Sequence, residues 1–203
     1  MQKFLVPSLI ATAAIASSSS AAIIVFTNQF VWENYAVGND QVVATENFNS
    51  YSGFYGSPLS GSISGVNWSA AASGGLYVGV VGGSAALSTN NPEPMTISFS
   101  GAPVRGVSGN IYGTDINFNV VPSIVQLSLQ DGTSYIAFID SATAYAGFYS
   151  TGAAITSITI SAQPLPGGTT AVYPTFDNLS VAVPAPGVLA LVGLAGLAGR
   201  RRR

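Results

Sequence analysis

Two carboxylate and amide pairs, Glu46 with Asn47 and Asp177 with Asn178, are the residues of this chain best suited to chemistry. Their oxygens are hard donors of the kind calcium takes, and they fall near the start and the end of the main body. No spaced acidic loop of the EF-hand type accompanies them, so a plainer alternative stays open, in which they hydrogen-bond the backbone at strand ends. Eight acids are present in all: Glu33, Asp40, Glu46, Glu93, Asp115, Asp131, Asp140 and Asp177. Two of them facing each other across roughly 5–9.5 Å would suit glycoside hydrolysis. Asp40, Glu93 and Asp131, however, sit in turn contexts, where acids are ordinarily solvated. Histidine and cysteine are absent. That removes Ser-His-Asp and Cys-His nucleophiles, histidine-zinc centres, disulfides and thiolate chemistry. The chain is expected not to be an enzyme. Calcium is the one cofactor its side chains suit, and a carboxylate-dependent hydrolase is the least favoured alternative.

Sugar recognition would use exposed aromatic faces flanked by amides and acids. Tyr51, Phe54, Tyr55, Trp68, Tyr112, Tyr145, Phe148, Tyr149 and Tyr173 are the candidates, and the cluster NSYSGFYG at 49–56 reads as loop-borne. The competing assignment is core packing, the usual place for aromatics in a β protein. Trp32 is assigned to the core, against a short helix. Lys3 and Arg200 to Arg203 lie in terminal segments, which leaves Arg105 as the only cation of the body. One cation against eight acids gives 1 − 8 = −7. Such a body neither neutralises phosphates nor is drawn to anionic bilayers, so nucleic acid is excluded as a partner. Arg105 itself is read as the partner of an acid or as a guard on an edge strand.

The elements that must position these side chains are strands. From Val42 the chain breaks into runs rich in Val, Ile, Thr and aromatics, separated by Gly, Pro, Asn and Ser. SISGVNW, LYVGVV, SIVQLSLQ, SYIAFID and TFDNLSVAV are examples. Val125, Leu127 and Leu129 alternate with polar neighbours, as in a strand with one buried face. Asp131 and Gly132 predict a hairpin turn between SIVQLSLQ and SYIAFID. About ten such strands with almost no helical period predict an all-β fold, an antiparallel β-sandwich over residues 23–182. A short N-terminal helix is expected from a Thr27 cap through Tyr35, and residues 82–94, GGSAALSTNNPEP, read as a loop.

The two ends carry addresses. Residues 1–22 combine one positive charge, an apolar stretch and small residues, which predicts a secretory signal helix. At the other end, an apolar run rich in Gly and Leu approaches the ~20 residues of a membrane-spanning helix. Arg200, Arg201, Arg202 and Arg203 follow it and would stay on the cytoplasmic side, with the body outside.

Val183, Pro184, Ala185, Pro186 and Gly187, the hydrophobic helix and the terminal arginines together resemble the PEP-CTERM sorting tails of bacterial surface and secreted proteins. The family's middle motif residue is usually Glu. Ala185 stands there in this chain, as in the VPAPG variant. The resemblance implies that residues 183–203 are recognised and cleaved near the Pro motif by an exosortase-like enzyme. It also implies attachment to the membrane through this tail before processing. The order of ENFNSY, PVRGVSGNIYG, LSLQDGTSY and TFDNLSVAV is similar to the jelly-roll domains that often precede such tails. Those domains resemble carbohydrate-binding sandwiches, some of which carry calcium. This likeness implies a jelly-roll-like body and supports Glu46, Asn47, Asp177 and Asn178 as calcium ligands. The expectation is an exported cell-surface or extracellular-matrix protein of structural or adhesive type. A calcium-supported carbohydrate-binding module, with polysaccharide as partner, is the alternative.

Overall fold

A computed structural model describes residues 22–185 and Gly187. The signal segment, Pro186 and the arginine cluster lie outside the described residues. Among the described residues, fourteen strands and one helix follow in chain order. They are β1 (Ile23–Phe26), α1 (Gln29–Gly38), β2 (Gln41–Glu46), β3 (Gly53–Tyr55), β4 (Leu59–Ile63), β5 (Val66–Ala71), β6 (Leu76–Val81) and β7 (Ser84–Thr89). Then come β8 (Met95–Gly101), β9 (Gly106–Thr114), β10 (Ser123–Leu129), β11 (Ser134–Ile139), β12 (Tyr145–Ser150), β13 (Ser157–Pro164) and β14 (Tyr173–Pro184).

Two antiparallel sheets pack face to face as a sandwich, as the alternation predicted. The first runs β1-β12-β9-β14-β7-β6-β3, with β2 also paired to β14; the second runs β11-β10-β13-β8-β5-β4. Val125, Leu127, Ile158, Ile160 and Ile97 of the second sheet meet Ile111, Phe176, Leu179, Val181 and Leu87 of the first, all of them buried. Asp131 and Gly132 make the expected hairpin, with Leu129 N donating to Thr133 O at 2.8 Å.

Three local assignments differ from the sequence reading. SISGVNW is not one strand but a hairpin: Ile63 faces Val66 across Ser64 and Gly65, both at positive φ. The 82–94 segment is not all loop, because Gly82 and Gly83, also at positive φ, turn the chain back into β7. Two central residues at positive φ suit the right-handed twist of paired strands. The helix is capped by Asn28 rather than Thr27, its side chain accepting from Val31 N at 3.1 Å, and it continues to Gly38.

Helix α1 lies on the outer face of the first sheet and forms a second, smaller core. Trp32, Ala36, Tyr149 and Ala182 are its buried members. The Trp32 indole donates to Phe148 O at 3.0 Å. It rests on bare backbone, since a Cβ at Gly106 or Gly147 would come within 2.9 Å of its ring. Trp32 thus packs between helix and sheet as its assignment predicted.

Strand β14 is the axis of the first sheet. β9 follows it along one edge, while β7 holds its first half at Thr175 and Phe176 and β2 its second half from Leu179 to Pro184. Where one neighbour hands over to the other, the register with β9 shifts between Asp177 and Ser180, and Asn178 adopts φ +53°. This bulge keeps Phe176 and Leu179 both in the core despite their odd spacing.

The strand also runs past the expected boundary at 182. Val183 pairs with Val42 and is buried, Pro184 pairs with Gln41, and Ala185 N donates to Asp40 O at 3.1 Å. The start of the Pro motif is therefore sheet. Among the described residues, no helix is long and apolar enough to cross a membrane.

Candidate functional site

An open cleft of about 340 Å³ lies on the outer face of the first sheet. Its walls come from three places: Tyr77 on β6, Ser88 to Asn90 at the end of β7, and the loop 115–118 after β9, with Tyr173 closing it at the start of β14. Tyr77 and Ser88 are cross-strand partners that alternate with the core residues Val78 and Leu87, so both point outward.

The loop is built around Asp115. Its carboxylate accepts from Asn117 N at 2.8 Å and from Asn119 N and Asn119 Nδ2, each at 2.9 Å. The Asn119 side chain, then its backbone amide, hold the Asp115 carboxyl below its ordinary pKa, so it stays ionised. Phe118 N donates back to Asp115 O, and Phe118 takes φ +63°. That conformation lays the Phe118 ring over Gly79, with the Tyr77 ring centroid 5.5 Å away.

Beneath the cleft a chain of hydroxyls is satisfied internally. Thr114 and Thr175 share a 3.0 Å bond, Thr175 donates to Ser88 Oγ at 2.9 Å, and Ser88 donates to Pro174 O at 3.2 Å. A rigid polar floor, two tyrosines and a phenylalanine at the wall, and amides on the rim form an arrangement that can stack a ring and hydrogen-bond its substituents.

The strands that carry the expected calcium quartet are neighbours in the first sheet. Glu46 ends β2 opposite Leu179, next along the chain from Asn178. Each side chain nevertheless has a local partner. Glu46 Oε1 accepts from Phe48 N at 2.9 Å, Asn47 Oδ1 from Asn49 N at 3.1 Å, and Asp177 Oδ1 from Asn178 N at 2.6 Å. Asn178 Nδ2 donates to Asn110 Oδ1 at 2.9 Å. Burial pushes the Asp177 carboxyl above its ordinary pKa, and hydrogen bonds from Ser84 and Asn178 N oppose the rise. Among the described residues, no three Asp or Glu side chains gather as a metal site. Other acids also serve turns and ends: Asp131 accepts from Thr133 N at 2.9 Å, Glu93 from Gly74 N at 2.5 Å, and Glu33 from Gln29 Nε2 at 2.7 Å.

Most candidate sugar-stacking aromatics are structural instead. Trp68, Tyr112, Phe148 and Tyr149 are buried. Tyr51 and Tyr55 pack edge-on within a group that includes Phe48 and Trp68, leaving only Phe54 of that cluster well exposed. Tyr173 alone of the named candidates lines the cleft. Arg105 is not on an edge strand: its N–H donates to Ala182 O of β14, and its carbonyl accepts from Ser150 N of β12.

Sequence reasoning missed Tyr77, Asp115, Asn117 and Phe118. The run DINFN, Asp115 to Asn119, held a signal for the loop, since Asp and Asn bond their own backbone in turns and tolerate positive φ nearby. Nothing local showed that the loop would fold onto Gly79, which is distant in sequence. Comparison with protein-family models, curated proteins and solved structures finds no match to this chain, so its own geometry carries the functional reading.

Proposed function

We propose that this chain is an exported, non-enzymatic protein of the cell surface or extracellular matrix that holds a neutral glycan in the cleft between Tyr77, Phe118 and Tyr173. The cleft carries the reading: it joins aromatic faces to the side-chain amides of Asn90 and Asn117. Neutral ligands are favoured because the body carries −7 and Asp115 stays ionised beside the cleft. The absence of His and Cys and the engagement of most acids in turns support a binding role over hydrolysis. Delivery rests on the resemblance of the tail to PEP-CTERM signals, with an exosortase-like enzyme and the membrane as transient partners.

The test is affinity chromatography of the protein on immobilised neutral and acidic polysaccharides, comparing wild type with Tyr77→Ala and Tyr173→Ala. Retention on a neutral polymer, weakened roughly three- to tenfold by each substitution, is expected for loss of one stacking contact. Retention that both variants keep in full would remove the cleft from the reading, and no retention on any polymer would remove the glycan.

A further inference from the structure

Among the described residues, strand β11 closes one side of the second sheet, pairing with β10 alone. Leu129 N donates to Thr133 O, and antiparallel ladders alternate between bonded and non-bonded pairs. Tyr135, Ala137 and Ile139, the partners of Leu127, Val125 and Ser123, therefore direct their main-chain groups toward β10. The N–H and C=O groups of Ser134, Ile136 and Phe138 point away from the sheet. These three residues also project their side chains onto its outer face, where Ile136 is 58% and Phe138 54% exposed.

An edge of this kind is usually blunted by charge, proline or a bulge. Between Ser134 and Ile139 there is no charged residue and no proline, and the register with β10 runs without a shift. The other strands with a free edge differ. β1 and β3 have four and three residues, β2 ends in Glu46, and no large apolar side chain of β4 is among the exposed ones.

We infer that β11 is a docking edge for a second copy of this chain, joined antiparallel about a twofold axis at Ala137 so that two six-stranded sheets become one. An extended strand is the protein element that pairs with a whole row of outward N–H and C=O groups, and β11 is complementary to itself. With the axis at Ala137, Ile136 lies opposite Phe138 of the second copy, and Phe138 opposite its Ile136. Asp140, the acid next to the strand, meets Ser134 rather than another acid, so identical copies pair without charges in opposition. The wider face adds none: Ser60, Ser69 and Ser98 form one row across it, and Thr96 and Thr159 share a 3.0 Å bond in the next. Both copies carry net negative bodies, so added salt strengthens the pair. The glycan cleft lies on the other sheet, and this inference does not depend on it.

The experiment is sedimentation velocity of the full chain over roughly 1 to 100 µM, for wild type and Phe138→Lys, with melting curves of both. Wild type is expected to dimerise with rising concentration. The lysine, at an exposed site, is expected to raise the dissociation constant at least tenfold and to leave in place the melting temperature at the lowest concentration, where the monomer prevails. A wild type that is monomeric throughout, or a Phe138→Lys that dimerises equally, overturns the proposal. Single-cysteine variants test the register, since the chain has no cysteine of its own. Ala137→Cys faces itself across the axis and is expected to form a covalent dimer under mild oxidant, while Ser98→Cys is not. Equal cross-linking of the two variants, or none at Ala137→Cys, would refute this pairing, and a dimer that formed through another surface would show itself in this way.

Discussion

The Phe118 ring occupies the space where a side chain at Gly79 would stand: a Cβ built on Gly79 falls 2.5 Å from the ring. Glycine on β6 is therefore what allows the loop 115–118 to fold down and form one wall of the cleft. Gly79→Val is expected to lift Phe118 away and abolish retention on the neutral polymer, while the circular dichroism of the sandwich stays that of wild type. Retention unchanged in Gly79→Val would show that Phe118 and its loop are not part of the ligand site.

A second glycine contact holds the helix. Trp32 rests on Gly106 and Gly147, and overpacking a filled contact costs about 1–3 kcal/mol. Gly147→Ala is expected to lower stability by that amount in urea unfolding, and Trp32→Ala by about 3–5 kcal/mol. Equal stability of Gly147→Ala and wild type would mean that α1 can slide to accommodate the methyl group.

Asp177 and Asp115 titrate in opposite senses. Burial raises the Asp177 pKa, so its ionised form costs the fold free energy; that cost is absent below the ordinary carboxylate pKa and sets in as pH rises through the raised value. Asp177→Asn should therefore melt higher than wild type at pH 7, by about 2–4 °C for each kcal/mol recovered. The difference should vanish by about pH 3, below the ordinary carboxylate pKa. Asp115 has a lowered pKa, so its contribution is present at neutral pH and is lost as pH falls through that value. Asp115→Asn should accordingly melt lower at pH 7 and converge with wild type in acid. Differences that do not change with pH would assign both effects to packing.

Calcium removal is expected to do little. The oxygens of Glu46, Asn47 and Asp177 already accept backbone N–H groups. Melting curves with millimolar calcium and with excess EDTA should coincide. A rise in melting temperature with calcium would show that the quartet reorganises into a cation site, because a ligand of the folded state alone stabilises it.

The Pro motif begins inside the sheet. Val183 and Pro184 pair with β2, so in the folded body the bond between them is not in a free extended segment. If the tail is cleaved as proposed, intact mass of the protein from its host is expected to place the new C-terminus at Ala185 or later. A product ending before Pro184 would require the end of β14 to peel away from β2 before cleavage.

Much of the sandwich was legible in single stretches of sequence. Val125, Leu127 and Leu129 alternate, and Asp131-Gly132 carries its turn chemistry locally, so strand, buried face and hairpin all followed from adjacent residues. SAALST was read as loop because it lacks β-branched and aromatic alternation, although the Gly82-Gly83 pair before it is a hairpin signal. The bulge at Asn178 was hidden: Asn tolerates its positive φ, but the place of the bulge answers to the change of neighbour from β7 to β2.

By itself the sequence determined the absence of His and Cys chemistry, the negative body and the strand periodicity, and it is the sole ground for reading both ends as addresses. All of these depend on residue type or on spacing within one segment. Only the tertiary structure decided which aromatics are core and which are wall, that Asp115 builds a loop while Asp177 is buried, and that the Pro motif starts in a strand. Those outcomes rest on pairings between residues far apart in the chain, such as Gly79 with Phe118, Val42 with Val183 and Trp32 with Gly147. No local pattern encodes a partner that the fold alone brings within reach.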